Sequence, residues 1–537
     1  MRPYIAPDSD WPLPSCRRLA ADRHRAYNAV NRFSTHTLFG KASNVMTAEA
    51  PREPDPSPSL PARAFRATTR PHVLALLAII VLAIGLRVAW IAYVSPNPAD
   101  GRLDDTAFYD HAGRALADGK GYVHFYGLPT AQWPPAYPFM LAGMYKAFGH
   151  HIIIPKLVNA LAGGLTCLLI YLIAARVFNR RVGLLGALLF AVFPGQLFWS
   201  TLLMTESLTP ALLCLMLLLF MMWVVERRDA GWLRHGTLGA LFGVAVLARG
   251  EGPVLMLAAL VVWRLVVPSW RQYARETGLL TLAAVLVVLP WTIRNAIRWR
   301  LVVPSWRQYA REAEMFALAA VLVVLPWTIR NAVSMHAFIP VTSAAGHTLL
   351  AGHQEDPYNP YRVFPEAKIQ AQYAYLCERW GTQGCPEQEV KVESEALRES
   401  LRFMIHHPKD EARFPFIKLY HLFRSDSDAV AWINSWSTEP LPMMLSPAEK
   451  DAWSTVANWY YIPLMIVAGL GMPLWFSVKD KRKLILVFFV GAWVATHLML
   501  WPNGRYHAAL TPIFSLWAAV TVIAVYDVLV ARRIAAR

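Results

Sequence analysis

An all-α polytopic membrane protein is the fold class this sequence predicts, and three observations predict it. Of 537 residues, 55% are hydrophobic and only 16% are charged, too little charge to cover a water-soluble chain of this length. Apolar runs recur at roughly 72–94, 153–176, 182–200, 207–225, 235–249, 252–267, 278–293, 314–329, 456–477, 484–501 and 509–531. Short basic clusters separate them, at Arg176, Arg180 and Arg181, at Arg227 and Arg228, and at Lys479, Lys481, Arg482 and Lys483. Backbone polar groups in lipid must be satisfied within their own segment, so each run is a candidate helix. The expected fold is a bundle of about 10–11 transmembrane helices with a small extracytoplasmic domain. Runs shorter than about 20 residues are tilted, buried or only partly inserted.

The formal net charge of +16 would suggest a nucleic-acid partner were the cations not confined to loops between apolar runs. That distribution is the positive-inside pattern. Stacking recognition needs basic residues interleaved with exposed aromatics, and no such run occurs, so no nucleic-acid partner is expected.

Residues 1–70 are rich in Pro, Arg, Ser and Ala without a hydrophobic period, and read as a disordered basic cytoplasmic tail. No apolar core follows the early basic residues, which argues against a signal peptide. Met46 is an alternative start to Met1. Residues 71–333 form the transmembrane core, with a first outer loop at 95–150. The polar stretch 334–455 is the extracytoplasmic domain, and 456–537 holds the last helices and a basic tail. Tracing the spans outward from a cytoplasmic tail puts Asp104, Asp105, Glu206, Arg505 and the 334–455 stretch on one side, opposite the basic loops.

A tandem copy interrupts this order. Arg264–Glu276 recurs as Arg300–Glu312, and the later motif ending at Ala296 recurs as one ending at Ala332, a constant offset of 36 residues over 264–299 and 300–335. Two units do not make a solenoid. Each copy brings one apolar run flanked by basic residues, so the first copy is expected to be re-entrant or displaced.

Five cysteines are too few for a disulfide scaffold. Cys167 and Cys214 lie in apolar runs as small core residues. Cys377 and Cys385 are a candidate disulfide, because an oxidising compartment outside the cytoplasm would allow them to pair.

The chemistry is expected just after the first span, in Leu103-Asp-Asp-Thr-Ala-Phe-Tyr109, Gly119-Lys-Gly-Tyr122 and Trp133-Pro-Pro-Ala-Tyr-Pro138. Asp105 either caps a short helix, Thr106 to Ala117, or is a catalytic carboxylate held at that helix N-terminus, and the two roles are compatible. Asp104 either works itself or perturbs its neighbour. Glu206 opens the fourth span, where an acid is costly and marks a site; the alternative is an acid in the first turn after Thr205 as N-cap. Arg249, Arg330 and Arg505 lie near span ends, where each could neutralise an anionic headgroup, although Arg249 is equally explained by snorkelling. Arg87, inside the first span, reads as a snorkelling residue. Tyr109, Tyr506 and Trp133 lie beside these groups, and Tyr109 and Trp133 read as packing groups that shape the cavity.

In order and spacing these residues resemble bacterial glycosyltransferase family 39, of the GT-C class, which includes protein mannosyltransferases and lipid A aminoarabinose transferases. Asp105 with Tyr109, Gly121-Tyr122 and Pro134-Pro-Ala-Tyr-Pro138 resemble the family's first outer loop. Thr205-Glu206, Leu247-Ala-Arg249, Pro326-Trp-Thr-Ile-Arg-Asn331, Phe338-Ile-Pro-Val-Thr-Ser343, His407-Pro408 with Lys418-Leu419, and Arg505-Tyr506 follow in order. The likeness covers about 70–531; the tandem copy and the long tail depart from it. The resemblance implies inverting transfer of a monosaccharide from a polyprenyl-phosphate carrier to an envelope lipid, glycan or protein. It implies a site facing the periplasm from the bacterial inner membrane. By the same analogy Asp105 is the general base, with Asp104 its alternate. Glu206, Arg249, Arg330, Arg505, Tyr109 and Tyr506 would hold the substrates. No cofactor is expected: two adjacent acids could hold a divalent ion, but no further oxygen ligands support a dedicated metal site. The rival reading is a transporter or flippase of lipid-linked saccharides with proton-coupling carboxylates, against which the spans show no matching halves.

Overall fold

The computed structural model describes residues 60–94, 105–226, 232–250, scattered positions between 252 and 259, and 324–355, 365–381, 384–434 and 445–535. Asp104, Arg294, the tail up to 59, the whole first tandem copy and the second up to 323 lie outside the described residues, and with them the expected span 278–293 and most of 252–267 and 314–329.

The described chain is helical throughout, and its strand pairing is a single isolated bridge between Val123 and Pro129. Among the described residues, five helices are long and apolar enough to cross a membrane: Pro71–Val94, Ile153–Val177, Thr205–Val225, Lys481–Met499 and Gly504–Ala535. They coincide with five of the expected runs, and the 235–249 run forms the shorter apolar helix Gly236–Ala248. The chain is a membrane protein.

Two runs differ from expectation. Run 182–200 is two helices, Arg180–Ala191 and Pro194–Trp199. The break has a local cause: Pro194 disfavours helical geometry in the residue before it, and Phe193 is extended at ψ 110°. Run 456–477 starts earlier, in the helix Pro447–Leu470, because Ser446 and Glu449 form a reciprocal capping box well before the apolar residues begin. A short helix, Met472–Trp475, follows it.

Arg87 does not snorkel. It is 1% exposed and lies against the helix Ile153–Val177. Its guanidinium donates to the carbonyls of Ala83 and Ala191 at 3.0 and 3.3 Å and lies 5.3 Å from the Phe190 ring. The missing side chain of Gly163 makes the room, since a Cβ there would stand 2.1 Å from Arg87 Nε.

The basic loops gather at one end of the bundle. Arg482 donates to the Arg176 carbonyl at 2.9 Å, and Arg181 pairs with Asp527 at 3.0 Å, near the arginine-bearing end of the last helix. Asp105 and Arg505 stand at the other ends of their neighbouring spans.

After the first span the chain forms the helix Asp105–Ala117, which buries Phe108, Tyr109, Ala112 and Ala115. It stops where Gly119, at φ 76°, lets Lys120 N–H reach back to the Ala115 carbonyl at 2.8 Å. A tight loop through Gly127 then leads to Trp133 and the helix Ala136–Phe148, which packs against the first. The polar stretch 334–455 is helical where described, chiefly in Ala345–Gly352, Pro386–His406 and Pro408–Phe423.

Candidate active site

Four charged residues from four separate elements meet at the end of the bundle away from the basic loops. Asp105, first residue of its helix, receives Arg505 Nη1 on Oδ2 at 2.8 Å. Its other oxygen, Oδ1, accepts the indole N–H of Trp133 at 3.0 Å. Arg505 Nε lies 4.0 Å from Glu206 Oε1. That same oxygen takes Arg249 Nη1 at 3.2 Å, and Arg249 Nη1 also donates to Thr205 Oγ1 at 2.9 Å. Thr205 Oγ1 in turn donates to Glu206 Oε2 at 3.3 Å. One guanidinium therefore stands between two carboxylates, and a second closes the cluster from the far side.

Burial differs along the cluster. The Glu206 side chain is 3% exposed and Arg249 10%, against 21% for Asp105 and 13% for Arg505. The inner pair is shielded from water and the outer pair borders it, so screening is weaker inside. Aromatic faces complete both cation sites. Arg505 lies 4.9 Å from the Trp432 ring and 5.0 Å from Tyr506, while Arg249 lies 5.5 Å from Tyr506 and 5.6 Å from Trp493. Tyr506 thus touches both guanidiniums through its face, and its hydroxyl accepts from Arg505 Nη2 at 3.3 Å.

Tyr109 is buried one turn beyond Asp105, its ring 5.2 Å from that of Tyr137. Burial first, then the nearby charges of Asp105 and Glu206, push its phenol well above the usual range. It stays a neutral phenol.

Of the expected site residues, the structure brings together Asp105, Glu206, Arg249, Arg505 and Tyr506, with Tyr109 beside them. Arg330 stands apart. Its guanidinium donates to the backbone carbonyls of Tyr122 and Thr130 and, at 3.1 Å, to the Asn331 side chain. It also lies 5.0 Å from the Trp327 ring and 5.4 Å from the Tyr122 ring. Three of its five N–H donors go to these partners, so Arg330 braces the first loop. Asp104 is outside the described residues. Cys377 and Cys385 are joined by a disulfide. Among the described residues no three His, Cys, Asp or Glu side chains gather as metal ligands.

Sequence reasoning missed three contributors. Trp133 is a hydrogen-bond donor to Asp105 as well as a packing group, stacked on Phe108 at 3.8 Å; the Trp-Pro-Pro spacing marked the position but not the indole's partner. His507, 1% exposed, sits with its ring nitrogens 2.8 Å from the Leu422 carbonyl and 2.9 Å from Asp426 Oδ1, fixing the segment that carries Arg505. Glu389 holds the loop leading to Trp133, and only the fold reveals it.

Residues 132–293 match the family described as dolichyl-phosphate-mannose-protein mannosyltransferase. Relatives include an undecaprenyl phosphate-alpha-4-amino-4-deoxy-L-arabinose arabinosyl transferase of Pseudomonas aeruginosa (strain UCBPP-PA14). It is 29% identical over 213 residues, covering 36% of each chain. A second, from Pseudomonas fluorescens (strain Pf0-1), is 27% identical over 230 residues and covers 40% of each. The chain thus spans between about a third and two fifths of the length of the curated relatives it matches. Similar solved structures include the archaeal oligosaccharyltransferase AglB from Archaeoglobus fulgidus with an inhibitory peptide and dolichol-phosphate. Its TM-score is 0.43 at 16% identity, over 87% of this chain and 51% of that one. ArnT from Cupriavidus metallidurans bound to undecaprenyl phosphate has a TM-score of 0.34 at 14% identity, over 84% and 77%. The family likeness thus rests on residues 132–293, about 30% of the chain, which are similar to the dolichyl-phosphate-mannose-protein mannosyltransferases.

Proposed function

We propose that the protein is an inverting glycosyltransferase that moves a monosaccharide from a polyprenyl-phosphate carrier to a hydroxyl on an envelope lipid, glycan or protein. The reaction takes place at the periplasmic face of the bacterial inner membrane. The observation that carries this reading is Arg505 standing between Asp105 and Glu206, 2.8 Å from one and 4.0 Å from the other. Support for the donor class comes from the relatives, whose name specifies an undecaprenyl-phosphate-linked sugar. Support for the outward orientation comes from the basic loops, which gather at the end of the bundle away from Asp105.

The charges balance before substrate arrives, two guanidiniums against two carboxylates. A lipid phosphate then competes for a cation. The outer pair is the one to yield, because a partly exposed pair is cheaper to part than a buried one. Arg505 turns to the phosphate while Arg249 stays with Glu206. Asp105, still oriented by the Trp133 indole, is left to accept the hydroxyl proton. The acceptor oxygen attacks the anomeric carbon from the face opposite the phosphate. The bond between that carbon and the phosphate oxygen breaks, and its electron pair leaves on the phosphate, where Arg505 meets the growing charge. The proton ends on Asp105, and the product carries the opposite anomeric configuration. No metal takes part in this scheme, and chelator is an arm of its test.

The test is purified protein in lipid nanodiscs with a labelled polyprenyl-phosphate sugar and candidate acceptors, with and without EDTA. Transfer with inverted anomeric configuration, read by NMR, is the expected result. Donor translocation across liposomes without cleavage, with every acceptor class tried, would refute the reading in favour of a flippase.

A further inference from the structure

The first outer loop, which presents Trp133 to Asp105, is gripped from both sides by a pair of opposite charges. Arg330, from the helical segment 324–335, donates to the carbonyls of Thr130 and Tyr122. Glu389, from the first turn of Pro386–His406, takes the complementary groups. Its Oε2 accepts Thr130 Oγ1 at 2.7 Å, and its Oε1 accepts Ala131 N–H at 2.9 Å and Ser343 Oγ at 2.6 Å. Thr130 is thus held by its carbonyl on the cation and by its hydroxyl on the anion. Both Thr130 and Ala131 are 0% exposed, so water cannot replace either partner cheaply.

The next links run straight to the site. Ser343 N–H donates to the Ala131 carbonyl at 2.9 Å, and Thr342 Oγ1 donates to that of Gln132. The following residue is Trp133, whose carbonyl accepts the Tyr122 hydroxyl at 3.0 Å and whose indole donates to Asp105. Glu389 itself is fixed at its base. Cys385, bonded to Cys377, is the residue on which the helix begins, four positions before Glu389. Gln388 adds a hydrogen bond to the Gln370 carbonyl at 2.8 Å.

We infer that Glu389 is a positioning residue for the transfer reaction: it locks the 130–133 backbone so that Trp133 holds the Asp105 carboxylate in its working rotamer. This rests on the proposed function. Glu389 touches no substrate, so its loss acts on turnover and leaves donor binding to the arginines. The acceptor pattern also predicts a specific rescue. Glutamine retains one carbonyl oxygen for Ala131 and Ser343, and its amide can donate to the Thr130 hydroxyl; alanine keeps nothing.

The experiment compares wild type, Glu389→Ala, Glu389→Gln, Trp133→Phe and the double Glu389→Ala/Trp133→Phe in the full-length protein. Kinetics and amide hydrogen exchange are measured on the same nanodisc preparations. Expected for Glu389→Ala is a fall in kcat of about 10- to 100-fold with donor KM within about threefold, the signature of lost orientation. Exchange should rise in 122–133 and stay unchanged in 153–177. Glu389→Gln should recover at least a third of wild-type kcat, and the double variant should be no slower than the slower single. If Glu389→Ala keeps wild-type kcat, whether or not exchange rises, the inference is overturned while the proposed function stands. Equal loss in the glutamine and alanine variants, with exchange rising across the whole chain, also overturns it, as a general folding role. Absence of transfer by wild type overturns the proposed function and the inference together.

Discussion

Replacing Arg505 by glutamine removes the cation between the two acids and leaves a shorter, neutral polar side chain. Two costs follow. In the resting protein Asp105 loses its partner at 2.8 Å and Glu206 loses a cation at 4.0 Å while keeping Arg249. Parting one member of a fully buried ion pair costs about 3–5 kcal/mol. Asp105 is 21% exposed, so water recovers part of that, and about 1–3 kcal/mol is expected here. During reaction the leaving phosphate loses a fixed cation, and one such contact is worth about 2.7–4 kcal/mol, or roughly 10²–10³ in kcat. The two costs separate experimentally. A double-mutant cycle on unfolding free energy with Asp105→Asn should show coupling of about 1–3 kcal/mol, because the side chains touch. Steady-state transfer should show the larger loss in kcat, with Arg505→Lys intermediate because a point charge replaces the planar fork. An Arg505→Gln protein with kcat within threefold of wild type and additive unfolding energies would refute both the pair and its role.

Two further outcomes follow from the outer helices. Lys418 is 0% exposed, beside His353 Nε2 at 3.2 Å and donating to the Leu498 carbonyl at 3.1 Å; burial pulls its amine from 10.5 to about 8, against the nearby charge of Glu411. The unfolded chain therefore binds more protons between about pH 8 and 10.5, and stability rises with pH across that window, by up to about 3 kcal/mol relative to Lys418→Met. Thermal unfolding at several pH values checks this, and parallel curves for the two proteins would sink it. Reducing the Cys377–Cys385 disulfide should lower kcat and speed exchange in 122–133, as in Glu389→Ala but less severely, because the helix start loosens while the carboxylate remains. Unchanged turnover after verified reduction would show that the bond does not support the loop.

The spans were legible because lipid leaves the chain few alternatives: five apolar runs are five long helices. Asp105, Glu206, Arg249 and Arg505 were legible for a related reason, since charges at membrane level are few and must answer one another. What stayed hidden was set by partners distant in sequence. Arg330 resembled a headgroup ligand from its place at a span end, yet its acceptors are carbonyls some two hundred residues earlier. Arg87 looked long enough to reach water until Gly163 opened a berth for it. The interruption at 192–193 was written in Pro194, but the continuous hydrophobicity on both sides masked it. Glu389 sits among other acids of a polar helix, and nothing local distinguishes it from Glu387 or Glu395.

The most direct measurement is single-turnover transfer by Asp105→Asn, with donor binding followed separately by fluorescence of a labelled polyprenyl-phosphate sugar. If Asp105 accepts the proton, the amide should slow the chemical step by about 10²–10⁴ while donor affinity changes less than tenfold. Transfer at the wild-type rate with donor bound would contradict that role and return the catalytic assignment to another group.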